Sequence, residues 1–176
     1  TNTVTHSTTI RSSDIAAGDQ FGYSVSLSRR TPAAGGNTQY LAVGAPGDDD
    51  VVSGSGSAYV FSTTDRTTWT EVKLTAADPE LNARFGTRVR ISADGSVLYV
   101  SAPGADTNSR IDGGAVYKFT RSGSTWAQTA KLYSNNAAFA HDTTGFGNAM
   151  AISGNGNIVC VGAPTDKTSS NGSVYV

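Results

Sequence analysis

Asp48, Asp49 and Asp50 stand in a row directly behind a Gly44-Ala45-Pro46-Gly47 turn, the densest set of oxygen donors in the chain. Calcium takes six to eight oxygen ligands, several of them carboxylate, so this run is the best metal candidate the sequence offers. Asp106, Asp112 and Asp166 follow the later copies of the same turn. Short acidic side chains after a turn also accept backbone N–H groups, and that role is the commoner one. A weak calcium site is therefore the most that is expected, and no other cofactor. Trp69 and Trp126 occupy equivalent places in a repeated pattern; such rings either stack on sugars or pack inside the fold, and packing is favoured. His6 and His141 are the only histidines and lie in no zinc or nucleophile spacing. Cys160, the single cysteine, falls in the apolar run Ile158-Val159-Cys160-Val161 and reads as a small buried side chain. No acid/base or nucleophile set converges, so an enzyme is not expected. Asn171-Gly172-Ser173 is an N-glycosylation sequon, relevant only in a protein secreted by a eukaryote.

The elements that would position these residues repeat. Phe21-Gly22, Phe85-Gly86 and Phe146-Gly147 recur at a nearly constant spacing (85 − 21 = 64 and 146 − 85 = 61). Each opens an alternating strand, and a second strand ends in Gly44-Ala45-Pro46, Ser101-Ala102-Pro103 or Gly162-Ala163-Pro164. A third strand follows each copy, near Ser57, Gly114 and Ser173. A fourth follows the first two copies, at Trp69–Leu74 and Trp126–Leu132. Sequential strands joined by short turns are meanders, and units of this size read as propeller blades in an all-β fold. The Ala93-Asp94-Gly95-Ser96 segment is a hairpin signal of the same kind. Small residues such as Ser24, Ser26, Ala149 and Ala151 suit blade faces that pack closely, whereas Arg88 and Arg90 at the matching positions imply partial exposure of that face.

Totals narrow the field further. Net charge is −1, from 13 basic and 14 acidic residues, which leaves no basic field for nucleic acid. No apolar run approaches a membrane span. The 20 glycines suit short strands and tight turns.

Phe-Gly followed by Gly-Ala-Pro and a Gly-x-[AV]-Tyr-Val strand resembles the FG-GAP repeats of integrin α-subunit propellers and their bacterial relatives. The resemblance covers nearly the whole chain and implies a β-propeller used outside the cell, or on its surface, for adhesion or ligand binding. Many FG-GAP repeats also carry an Asp-x-Asp-x-Asp-Gly calcium loop between their first two strands. The corresponding loops here begin Arg29-Arg30-Thr31-Pro32 or read Ala93-Asp94-Gly95-Ser96 and Gly154-Asn155-Gly156-Asn157, and cannot supply it.

The frame is offset. Ile10 stands as far ahead of Phe21 as Leu74 stands ahead of Phe85, so Thr3–Ile10 reads as a fourth strand. The last copy has three strands. The chain is thus expected to divide into 1–13 (a strand four), 14–78 and 79–135 (blades) and 136–176 (three strands), with one blade split between the termini. Three blades are fewer than a closed ring normally needs. The expected partner is a second copy, in a closed oligomer or a strand-exchange filament, or further blades of a longer chain. Extracellular protein or glycan is the expected ligand class, and a lectin-like propeller is the alternative.

Overall fold

The structure is a computed structural model that describes residues 8–29, 38–107, 111–134, 144–166 and 172–176. Most of the fourth strand expected at Thr3–Ile10 lies outside the described residues, as do His6, His141 and Asn171. The described residues form eleven strands and no helix, in antiparallel sheets of four, four and three strands. The first sheet is the meander β1 (Ser24–Leu27), β2 (Gln39–Ala45), β3 (Ser57–Thr63) and β4 (Thr70–Leu74). The second is β5 (Arg88–Ile91), β6 (Val97–Ala102), β7 (Ala115–Ser122) and β8 (Thr125–Leu132). The third holds β9 (Ala149–Ile152), β10 (Val159–Ala163) and β11 (Ser173–Tyr175). The three sheets stack as successive blades and, among the described residues, do not close into a ring.

Each first strand begins later than the alternation of its residues suggests. Phe21-Gly22-Tyr23 forms a turn, with Gly22 at φ 93° and the Tyr23 N–H donating to the Gln20 carbonyl at 3.0 Å. Only from Ser24 does the backbone run extended. The hairpin loops between first and second strands in the later blades are tied by local hydrogen bonds. Asp94 accepts from the Ser96 N–H at 3.0 Å and from the Ser92 hydroxyl at 2.6 Å, and Asn155 repeats this with Asn157 and Ser153.

Packing follows from the period-2 alternation of each strand, which gives every blade a front and a back. The front of the second blade buries Phe85, Val89, Ile91, Tyr117 and Phe119 against Ala42, Ala58, Val60 and Leu74 on the back of the first. The front of the third buries Phe146, Met150 and Val161 against Val116 and Leu132 on the back of the second. Two polar devices lock the first of these interfaces. The Val89 and Ile91 N–H groups donate across it to the hydroxyls of Ser24 and Ser26, each at 3.1 Å. Gly44 and Gly56 leave room for the next Phe-Gly turn, since a Cβ at either position would run into the carbonyl oxygen of Gly86 or Phe85. These are positions where the fold needs a glycine for close approach.

Ile10 joins Phe21, Leu41 and Trp69 around the buried Val43, Ala45, Tyr59 and Phe61 on the front of the first blade. Leu74 takes the same place beside Phe85, and Leu132 beside Phe146.

Candidate functional site

The acidic run after the first Gly-Ala-Pro turn is split by the fold. Asp48 is buried and Asp50 exposed, and both converge with Asp14, from the loop before Phe21; their carboxylate oxygens lie within 4.8 Å of one another. Asp49 is exposed and stands outside the group. At the centre sits the Lys73 ammonium, from β4, at 2.7 Å from Asp14, 2.9 Å from Asp48 and 2.6 Å from Asp50. The Tyr59 hydroxyl, from β3, lies 2.9 Å from both Asp14 and Asp48. Asp48 also accepts the Asp50 N–H at 3.1 Å, an Asx-type turn bond.

Geometry and electrostatics agree on what this cluster is. Burial would raise the Asp48 carboxyl, yet the bonds from Lys73, the Asp50 N–H and Tyr59 hold it below the ordinary carboxylate value. Burial would raise Asp14 in the same way, and Lys73 and Tyr59 again bring it down. Burial would lower Lys73, but the carboxylates of Asp14, Asp50 and Asp48 raise it well above a free lysine. Burial, and then the Asp48 carboxylate, push the Tyr59 hydroxyl up. These shifts reinforce the ordinary charge states across the physiological range: carboxylates, an ammonium and a neutral phenol. The Lys73 ammonium is thus at hydrogen-bond distance from three carboxylates. The cluster is a clasp joining β3, β4, the Gly-Ala-Pro loop and the segment ahead of the first blade.

The second blade carries a related clasp. Lys131, from β8, is 2.6 Å from Asp78 and 3.4 Å from Glu80, and it donates to the Asp106 carbonyl at 3.2 Å. Its ammonium stands over the Tyr117 ring, 5.4 Å from the centroid, as Lys73 stands over Tyr59 at 5.5 Å. Burial raises the Tyr117 hydroxyl; burial would lower Lys131, but Asp78 raises it. In the third blade the Tyr175 hydroxyl donates to Asp166 and accepts from the Ser134 hydroxyl at 2.9 Å. Tyr59, Tyr117 and Tyr175 recur at one constant interval, and Lys73 and Lys131 stand apart by that same interval. That shared interval was the available signal for both lysines, whereas the tyrosines already belong to the Gly-x-[AV]-Tyr-Val strand pattern.

The tryptophans are structural neighbours of this scheme. Trp69 packs on the front core of the first blade, and its buried indole Nε1 has no partner among the described residues. Trp126 packs on the core between the first and second blades, edge-on to Tyr40 at 6.4 Å. Both rings are half-buried. Arg88 and Arg90 are half-buried and pair with no carboxylate among the described residues. Arg88 donates to the Thr87 carbonyl at 2.9 Å and lies 5.9 Å from the Tyr23 ring; Arg90 donates to the Val89 carbonyl at 2.8 Å. Cys160 is half-buried instead of fully enclosed, because it lies on the uncovered back of the third blade.

Among the described residues no helix is long and apolar enough to cross a membrane. A search of the curated proteins found no match to the chain. The FG-GAP repeat family model matches residues 4–61, 69–119 and 126–176, one match for each copy of the Phe-Gly and Ala-Pro pattern. Repeats of this family are typical of extracellular or surface proteins and generally non-enzymatic. With three matched repeats spanning most of its length, and blades built as those repeats require, the chain belongs to the FG-GAP repeat family.

Proposed function

We propose that the chain is a non-enzymatic adhesion or structural module of propeller type, working outside the cell or on its surface. The observation that carries this reading is the position of Lys73. The densest group of chemically able side chains is closed on itself: every carboxylate in it holds the lysine, and the lysine holds the blade together. The chemistry of the repeats thereby serves shape, and the exposed surface is left for recognition. The module needs no calcium to hold its form, because a fixed ammonium supplies the positive charge.

A lectin role is the second reading, resting on Trp69 and Trp126, and their packing disfavours it. Beads carrying the purified chain separate the two. Adhesion to surfaces coated with extracellular protein is expected, equal in calcium and in EDTA, and unchanged in a Trp126→Phe variant. Adhesion that free monosaccharide competes away and that Trp126→Phe removes would establish the lectin instead. No adhesion to any coated surface would overturn the adhesion role.

A further inference from the structure

Where the three blades meet, one pocket carries charge that the packing does not call for. It measures about 130 Å³ and is lined by Tyr23 of the first blade, by Arg84, Thr87, Arg88 and Pro103 of the second, and by Asn148 of the third. No acidic side chain lines it. The ion pairs among the described residues involve neither Arg84 nor Arg88. Arg88 is half-buried and spends an N–H on the Thr87 carbonyl at 2.9 Å. A guanidinium has five donors, and withdrawing its charge from water is costly until an anion joins it.

Neither arginine is demanded by the repeat. Arg88 takes the place held by Ser24 in the first blade and Ala149 in the third, so a small residue satisfies that strand. Arg84 takes the place held by Gln20 and Gly145. The backbone there is left-handed in all three blades, with φ 59° at Gln20 and Arg84 and 64° at Gly145. Glycine adopts this conformation freely and arginine only under strain. Strain in a pocket wall is the mark of a side chain kept for a task other than packing. The Thr87 hydroxyl and N–H both donate to the Arg84 carbonyl, at 2.8 and 3.2 Å, and so fix the turn that carries Arg84. The Tyr23 ring lies 5.9 Å from the Arg88 guanidinium carbon and supports it from the neighbouring blade.

We infer that this pocket takes the carboxylate of an acidic side chain presented by a partner protein, with Arg84 and Arg88 donating to its oxygens. A guanidinium matches a carboxylate in a planar, two-bond geometry. The volume is well below the roughly 300–1,000 Å³ of pockets that enclose a whole small molecule, so it admits one head group while the rest of the ligand lies outside. Protein is the favoured source of that group, because arginine and tyrosine are the usual anchors of protein interfaces. Leu81 and Ile111, 64% and 62% exposed, add apolar surface in the loops ahead of β5 and β7, at one end of the second blade. A sulfated glycan calls for a wider basic surface than two guanidinium groups on a chain of net charge −1. The inference deepens the adhesion reading by naming the chemistry recognised, and it rests on that reading.

Two short peptides test it by NMR titration of the native chain: acetyl-Gly-Asp-Gly-amide and its neutral counterpart with Asn in place of Asp. The acidic peptide should move the amides of Arg84, Thr87, Arg88 and Asn148 saturably, and the neutral one should leave them in place. Arg88→Gln should weaken the binding about tenfold or more at an unchanged melting temperature. Arg84→Gly should weaken it as much while the melting temperature holds or rises, since the left-handed strain is relieved. An acidic peptide that leaves those amides unmoved overturns the inference, as does one that binds both variants as it binds the native chain. Inorganic sulfate that saturates the site where the peptide does not overturns it too, in favour of a sulfated glycan. In the bead assay, adhesion should fall when the carboxylates of the coated protein are converted to amides. Equal adhesion to both coatings defeats the pocket and leaves the adhesion role standing, whereas peptide binding with no adhesion to any coating defeats the adhesion role alone.

Discussion

The clasps of the first and second blades perform one task with different acids. Both present a strand-four lysine over a strand-three tyrosine at the same register, Lys73 beside Tyr59 and Lys131 beside Tyr117. In the first blade a buried carboxylate, Asp48, comes from the Gly-Ala-Pro loop and is only 3% exposed at its side chain. In the second, Ala105 follows Pro103 at the position where Asp48 follows Pro46, and the acids are Asp78 and Glu80, 46% and 28% exposed. The lysine and tyrosine are thus the fixed parts and the carboxylates the interchangeable ones. A carboxylate bound to a charged lysine works from any loop that reaches it, but its energetic weight depends on how far it is removed from water.

The largest expected effect separates the two clasps. Lys73→Met leaves Asp48 buried without its cation and should cost about 2 kcal/mol, below the usual range for a fully buried pair because Asp14 and Asp50 stay hydrated. Lys131→Met, whose acids can turn to solvent, should cost about 1 kcal/mol or less. Urea denaturation of both variants checks this, and equal losses would show that burial of Asp48 does not set the difference.

Titration sharpens the same contrast. Asp14 and Asp48 have folded values held below the ordinary carboxylate value, so the stability they contribute is complete above about pH 4 and is lost as the pH falls through their folded values. Lys73 and Tyr59 are raised, so their contribution is complete below about pH 10 and is lost as the pH rises beyond it. Stability should be flat between these limits. The acid loss should shrink in Lys73→Met, which removes the partner that depresses both acids; an acid limb identical to that of the native chain would place the dependence elsewhere.

Ser24→Ala comes next. It strips the buried Val89 N–H of its acceptor between the first two blades, at a cost of about 1 kcal/mol. Hydrogen exchange at Val89, faster in the variant while the β7 amides stay protected, is the direct readout. The smallest effect belongs to Trp69→Phe. Losing an indole N–H that has no partner among the described residues offsets the lost ring area, so stability should move by less than about 0.5 kcal/mol. A loss several times larger would mean that the Nε1 group is bonded in solution.

Much of this architecture was legible in the chain, because Phe-Gly, Ala-Pro and strand alternation are local signals that survive in any context. The start of each first strand was not, since Gly22, Gly86 and Gly147 use their freedom for a turn that alternation cannot reveal. The candidate site was half legible. Asp48 and Asp50 stood out as neighbours, but Asp14 belongs to the loop ahead of the first blade and Lys73 to its last strand. No spacing rule joins two such places.

The sequence by itself determined the repeat, its register and the all-β class, because each rests on residue type at fixed spacing along one chain. Only the tertiary structure decided what the acids hold and that Asp49 is left out. Those outcomes depend on which side chains converge from distant loops and on which surfaces lose their water, and both are set by the stacking of blades.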